Sequence, residues 1–341
     1  MTAALIFFGA IVAGVMCILV IIRLRQPRFG ILQGEGPTDG LCNARHEISV
    51  LAWNIGYGAL GQQADFFVDH GQSVRALPRK DIANSASRIA DMLSAGAWDV
   101  ICLQENAAAG FLTRAVPVRR MIDRALPAMR HYYWADLKTV LLPKPLRFDH
   151  GMSTYTALRD AGCEILKLPQ DRRYYGHFLK KFYAGQLSRY PIEGSDKNWV
   201  IINIHLSPAD PGGTVRNAQL QGLMAVAKRE FAQGNYVVLG GDWNLRMCQT
   251  EFSHTTDQAS LEWSRNFPQG SLPAGWRIFC DPDTPTVRSL EKAYQEGQNY
   301  TTVIDGFIGS PNVALKSIKT TDLRFEITDH HPVEAVFITD T

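Results

Sequence analysis

An α/β sandwich, a mixed β-sheet core with helices outside it, is the fold class that the sequence predicts. Helical periodicity at residues 80–97 and 214–234 leads each time into a short apolar run of strand character. Other strand-like runs, such as 183–188 and 199–206, follow one another with no helix between, so the sheet is mixed rather than purely parallel. The 341 residues, 46% of them hydrophobic, are enough for a sizeable core. Lys and Arg number 35 against 33 Asp and Glu, a formal charge of +2. That near balance gives no global field for nucleic acid and still permits a local basic groove. The six cysteines are scattered with no Cys-x-x-Cys pair, which argues against a cysteine zinc site and a disulfide framework. Cys102 sits in an apolar run and reads as a buried free thiol, which favours a reducing compartment.

Taken in order, Thr2 to Ile22 carries no charged residue. At about 1.5 Å per residue it would span roughly 30 Å, the thickness of a bilayer core. Arg23, Arg25 and Arg28 follow, which predicts an uncleaved single-pass anchor over residues 1–24 with N-out, C-in topology and a cytoplasmic domain. An exported domain is the alternative. Residues 25–45, rich in Gly, Pro and polar residues, read as a linker, and 46–341 as the catalytic domain.

The domain opens with a strand from Glu47 to Asn54, then a glycine-broken loop at Gly56-Tyr57-Gly58. A helix over Lys80 to Ala97 places Ile82, Ala86, Ile89, Ala90 and Leu93 near one face. It leads into a strand, Trp98 to Glu105. Arg119 to Tyr133 reads as a helix interrupted at Pro127, Thr139 to Phe148 as a loop, and Gly151 to Leu158 as a strand. Two further strands, Tyr183 to Ser188 and Trp199 to Leu206, precede the helix Thr214 to Gly234, whose Leu220, Leu223, Met224, Ala227 and Phe231 follow the i, i+3, i+4, i+7 rule. A strand at Asn235 to Leu239 is expected to stop at Gly240-Gly241, where the chain turns and presents Asp242 and Asn244 on one face. Met247 to Asn299 is irregular, and a long irregular insertion is often functional. Strands at Val303 to Ile308 and Val333 to Ile338 close the chain, with Thr328-Asp329-His330-His331-Pro332 before the last.

Five strand ends therefore carry polar groups: Asn54, Glu105, Asn203 with His205, Asp242 with Asn244, and Asp329 with His330. Each alone has an ordinary structural reading. Together they are the groups that hydrolysis of a phosphate ester at a hard cation needs. Oxygen ligands suit Mg²⁺, amides and imidazoles donate to phosphoryl oxygens as charge develops, and an Asp can orient or deprotonate water.

The order of these motifs, Trp-Asn, Leu-Gln-Glu, Asn-x-His, Gly-Asp-x-Asn, Ile-Asp-Gly-Phe and Asp-His-x-Pro over residues 47–339, resembles the endonuclease/exonuclease/phosphatase superfamily. The resemblance implies a deoxyribonuclease I-like, four-layer α/β sandwich of two packed mixed sheets flanked by helices. It implies Glu105 as main metal ligand with Asn54 and Asp329, for Mg²⁺ or Mn²⁺. Asp242 would position or deprotonate the nucleophilic water. Asn54, Asn203, Asn244, His205 and His330 would hold the phosphate, and Asp305 would fix the His330 tautomer. Gly56 stands where some nucleases of the group carry an acid, and Thr328 stands for a commoner serine. The Trp-Cys-Asp-Arg segment similar to the inositol 5-phosphatases is absent from the sequence. Asn54 to Gly71 and Pro285 to Arg288 look like a membrane-tethered bacterial subgroup.

The function expected is a Mg²⁺-dependent phosphodiesterase or phosphomonoesterase. A nuclease predicts a basic groove, for which Lys144, Arg147, Arg172, Arg173, Lys180 and Lys181 are candidates, although such residues also serve as solvated loop charges. A phospholipid-headgroup or sphingomyelinase-like hydrolase would instead use aromatic residues such as Phe66, Phe67, Tyr174, Tyr175 and Trp276 at a membrane, where core packing is the ordinary role. The alternative of another class is an inactive binding or scaffold domain. It is disfavoured because Glu105, Asp242, Asp305, Asp329 and His330 are all present. No obligate protein partner is evident.

Overall fold

The computed structural model describes residues 2–24, 29–66, 71–73, 77–139, 142–143, 146–170, 180–208, 210 and 212–340, without the side chains of 2–6, 21–24 and 259. In chain order the elements are α1 (Thr2–Leu24), β1 (Gly30–Leu32), β2 (Glu47–Asn54), α2 (Arg79–Ala95), β3 (Val100–Ala107), α3 (Val118–Ala125), β4 (Arg130–Lys138) and β5 (Asp149–Thr156). There follow β6 (Cys163–Lys167), β7 (Ala184–Pro191), β8 (Asn198–His205), α4 (Thr214–Ala232), β9 (Tyr236–Asp242) and β10 (Arg277–Phe279). The chain ends with β11 (Val287–Arg288), β12 (Thr301–Thr302), β13 (Asp305–Gly309), β14 (Val313–Thr320) and β15 (Val333–Thr339).

Strands that are apolar on both faces dictate the layering. In β2, Leu51 and Trp53 point outward into a cluster with Ile82, Ala86 and Ile89 of α2 and Val118 and Ile122 of α3. Ile48, Val50 and Ala52 point the other way, into a second cluster with Ile201, Val238 and Phe307 of the opposite sheet. On that sheet Ile202, Ile204 and Leu239 face outward against Leu220, Leu223 and Met224 of α4. The result is helices, sheet, sheet and helix: two packed mixed sheets, as the sequence implies. One sheet has the order β1-β6-β7-β8-β9-β13-β10 and the other β14-β15-β2-β3-β5-β4. The parallel pairs, β2 with β3 and β8 with β9, are those joined through a helix.

Several elements differ from expectation. Residues 130–133 end not a helix but begin β4, because Pro127 stops α3 and Tyr132 and Trp134 then alternate into a buried cluster. The putting-down of β1 against β6, with Gly30 opposite Ile165, and bridges at Glu35, Cys42 and Ala44 lay the expected linker along the domain. The strand before the glycines does not stop there. β9 runs through both to Asp242, and each is glycine for lack of space. A Cβ at Gly240 would lie 2.5 Å from the Phe307 ring, and one at Gly241 2.1 Å from the Ile204 carbonyl oxygen, with φ at +143°.

The N-terminal anchor is corrected. Among the described residues no helix is long and apolar enough to cross a membrane. The single-pass anchor, its N-out, C-in orientation and the membrane-anchored localisation fall on that finding.

Gly241→Ala should destabilise the chain by about 3 kcal/mol or more, since a left-handed backbone and a backbone clash act together. Gly270→Ala, at φ +70° with nothing within 4 Å of its Cβ, should cost only about 1 kcal/mol. Equal midpoints for the two in urea unfolding would refute the close-approach account.

Candidate functional site

The inward-facing column of each central strand is apolar until its last residues. Sheet register then places His205 of β8 beside Asp242 of β9, and Asp242 beside Asp305 of β13, in one row across three strands. Asn54 ends the corresponding column of β2 and donates from Nδ2 to Asp242 Oδ2 at 3.0 Å. That same oxygen lies 3.5 Å from His205 Nε2 and 3.9 Å from His330 Nε2. His330 comes from the loop before β15 and contacts Asp305 Oδ2 through Nδ1 at 2.9 Å. Asp242, Asp305 and His330 offer ligand atoms that all lie within 4.8 Å of one another.

The loop that carries Asp329 and His330 is pinned from several sides. Trp53 Nε1 donates to the His330 carbonyl at 3.1 Å, Thr328 Oγ1 to the Asn54 carbonyl at 3.3 Å, and the Arg288 amide to the Asp329 carbonyl at 3.1 Å. Glu105 reaches the same end of the seam from a β-bulge in β3, where the register to β5 shifts between Leu103 and Asn106. Its φ is +52°, a left-handed backbone that a non-glycine residue adopts at a cost and that clusters at functional sites. Glu105 Oε1 lies 4.0 Å from His205 Nε2. At Gly56 (φ +47°) a Cβ would sit 2.6 Å from Asp329 Oδ1, so a side-chain acid at this position would collide with the carboxylate already there.

Two predicted phosphate ligands have other employment. Asn203 is fully buried between the sheets. Its Nδ2 donates to the Ser153 carbonyl, Thr154 Oγ1 and Gln186 Oε1 at 3.1–3.2 Å, and its Oδ1 accepts from Gln104 Nε2 at 2.7 Å. It is a bracket between sheets, one step deeper than the site, because an inward position at that depth meets polar groups of the opposite sheet rather than solvent. Asn244 is in the left-handed region at φ +49°, its amide N–H on Asp242 Oδ1 at 2.9 Å and its Nδ2 on the Leu206 carbonyl at 3.0 Å. It orients Asp242 and the end of β8. Of the candidate basic and aromatic residues, Lys144, Arg172, Arg173, Phe67, Tyr174 and Tyr175 lie outside the described residues. Trp276 is core, Phe66 packs on the core, and Arg147 lies 4.0 Å from Asp149.

Positioning residues that the sequence reading passed over are Gln104, Arg216 and Arg288. Arg216 and Arg288 are both fully buried. Arg216 Nη1 donates to the carbonyls of Asn244 and Trp263, and Arg288 Nη2 donates to those of Leu60, Gly61 and Ala64, which fixes the turn after Asn54. The one available signal was an arginine, Arg216, on the buried face of an otherwise regular helix.

The environments drive the site's charges apart. Burial pushes the Asp242 carboxyl up, Asp305 adds to this, and His330 and Asn54 oppose it, for a value of about 7. Burial works against charge on His330, but Asp305, Asp242 and Asp329 outweigh it and hold the imidazole up at about 10. His205 is held well below the usual imidazole range by burial first, then by Lys181 and His330. Asp329 rises to about 6 through burial and the nearby Glu105, against His330 and Arg288. Two imidazoles thus flank Asp242, one neutral and one charged at pH 7. The Glu105 carboxylate repels that of Asp329, and hard oxygen donors of this kind are the ones that suit a divalent cation.

Residues 51–330 match the Endonuclease/Exonuclease/phosphatase family. No curated protein sequence matches the chain. Similar solved structures include an endonuclease/exonuclease/phosphatase from Beutenbergia cavernae DSM 12333, at TM-score 0.57 and 19% identity over 86% of this chain and 72% of that one. TDP2 of D. rerio, complexed with single-strand DNA product, scores 0.54 at 15% identity over 86% of this chain and 99% of that one. The human Nocturnin catalytic domain with bound sulfate scores 0.51 at 15% identity over 87% and 96%.

In metal-free protein, imidazole NMR should find His330 protonated throughout the neutral range, losing its proton only near pH 10. Asp305→Asn removes the leading attraction, so the midpoint should fall by more than one pH unit, roughly the worth of one such contact. An unmoved midpoint would show that Asp305 does not govern this imidazole.

Proposed function

Because the chain belongs to the endonuclease/exonuclease/phosphatase family, whose match spans residues 51–330, we propose that it is a divalent-metal-dependent phosphodiesterase that cleaves by water attack at phosphorus. The observation that carries this reading is the Asp242 carboxylate, with Asn54, His205 and His330 around one of its oxygens and two further carboxylates alongside.

Asp242, with a value lifted to about 7, suits the base that orients and deprotonates water near neutral pH. Asn54 and the Asn244 amide hold its two oxygens so that the free lone pairs are directed. His330, kept as imidazolium by Asp305, donates through Nε2 to a phosphoryl oxygen and is the candidate proton source for the leaving group. His205, neutral and 3% exposed, donates or accepts through Nε2 at the opposite flank of Asp242. A cation held by Glu105 and Asp329, with the Asn54 carbonyl beside them, would draw charge from the phosphoryl group. Burial of all these groups strengthens each interaction as charge develops.

A nucleic-acid strand is the substrate class favoured first. One similar structure holds a single-strand DNA product and another a sulfate, which has the charge and shape of a phosphate. The phospholipid-headgroup reading drew on the N-terminal anchor, which the structure does not support.

The full chain assayed on single-stranded DNA, a phospholipid panel and a nitrophenyl phosphodiester should turn over with Mg²⁺ or Mn²⁺ and stop with EDTA. Asp242→Asn and His330→Ala should each lower kcat by about 10²–10⁴ while the fold is retained. Glu105→Gln should shift the Mg²⁺ titration most. Metal-independent turnover, or near-normal rates in Asp242→Asn, would sink the proposal.

A further inference from the structure

One charged cluster beside the site has no role in the scheme above. Lys181, just before β7, is 6% exposed, although lysine is rarely buried without a partner. Its Nζ lies 3.8 Å from Glu105 Oε1 and 3.6 Å from Asp136 Oδ2 on β4. His150 on β5 has Nδ1 2.7 Å from Asp136 Oδ1, off the line that a hydrogen bond needs, and both atoms are buried without a hydrogen-bond partner. Tyr57 packs on the His150 ring at 5.0 Å between centroids and closes this wall.

The contacts form a chain. His330 Nε2 lies 3.9 Å from Asp242 Oδ2, which lies 3.5 Å from His205 Nε2, which lies 4.0 Å from Glu105 Oε1, with Lys181 next. Ammonium and imidazole therefore flank one carboxylate oxygen, close enough to hold two oxygens of a single phosphate. The charge of Lys181 is felt at His205, where it ranks after burial in keeping that ring neutral. In metal-free protein Glu105 and Asp136 balance the ammonium. Once a cation takes up the Glu105 charge, Lys181 faces a positive neighbour at short range and its attraction to an anion rises. Gly56 cannot supply a carboxylate for a second cation here, since a side chain there strikes Asp329.

We propose that Lys181 is a phosphate-binding residue. It takes a non-bridging oxygen of the substrate phosphate at the Glu105 end of the site, the other end of the contact chain from His330, and Asp136 holds it in place. This rests on the phosphodiesterase reading.

The test uses the full chain as wild type, Lys181→Met, Lys181→Gln and Lys181→Arg, with folding checked by thermal unfolding. Inorganic phosphate is titrated calorimetrically in the presence of Mg²⁺, Mg²⁺ is titrated alone, and kinetics are run on the nitrophenyl phosphodiester. Either neutral variant should weaken phosphate binding and raise KM by about ten- to a hundredfold, the range of one charge-assisted contact. Arg should restore most of the loss, and Mg²⁺ affinity should not fall. Unchanged phosphate affinity in a folded neutral variant would overturn the assignment. So would a fall in Mg²⁺ affinity alone, which would make Lys181 a prop for Glu105. Phosphate bound through Lys181 by a wild type that turns nothing over would instead sink the phosphodiesterase reading and leave this one standing.

Discussion

Everything at the site depends on a hydrogen-bond bracket between the two sheets. Gln104 of β3 donates to Asn203 of β8, and Asn203 reaches Thr154 of β5 and Gln186 of β7, all in the buried seam. Buried amides are costly unless satisfied, and satisfied ones admit one relative placement of their partners. Apolar side chains deeper in the seam could slide by a fraction of a residue at small cost, whereas this bracket cannot. It lies one step below the row of His205, Asp242 and Asp305. Gly241 makes it possible, because any side chain there would crowd the Gln104 amide nitrogen at 2.9 Å as well as the Ile204 carbonyl.

The electrostatic organisation follows from that rigidity. Five ionisable groups, Glu105, His205, Asp242, Asp329 and His330, converge where two sheets have already excluded most water. They cannot all hold their ordinary charges. Burial raises Asp242 and Asp329 and, with Lys181 and His330, keeps His205 neutral, while Asp305 draws a proton onto His330. The separation arises from placement alone. Asp305 touches His330 at 2.9 Å, and His205, at 3.5 Å from Asp242, has cations on its other sides.

Much of this was legible in the sequence because strand periodicity and polar strand ends are local signals. Asn54, His205, Asp242 and His330 stand at strand ends in the sequence and the structure brings them together, whereas Asp305 reads as an acid inside a strand and only the resemblance pairs it with His330. What was not legible is non-local. Asn203 and His205 look alike in sequence, being two apart on one strand face, and only the opposite sheet decides which is solvent-side and which is bracket. The helical reading runs on into the first four residues of β4, to Tyr133, because Val118 to Ala125 is helical and nothing but Pro127 marks the change. β14, with its exposed outer positions, carries no strong alternation. Arg288 sits on a two-residue strand, too short for any periodicity to reveal what its guanidinium spans. The N-terminal apolar run misled in the opposite way, since composition alone suggested a span that the described helix does not make.

The bulge at Glu105 has a consequence of a different kind. Side chains of a strand alternate between faces, so by parity alone residue 105 would share the helix side with Leu103 and Ile101. The one extra residue between Leu103 and Asn106 lets the carboxylate swing toward the seam instead. The position of this acid is thus encoded as an odd count rather than as a residue type. Substitutions in β3 leave the count intact, and the strand can drift in composition without losing its acid. Restoring plain alternation along β3 would turn Glu105 toward the helices while every residue type of the site stayed in the chain, so the acid depends on spacing as well as on identity.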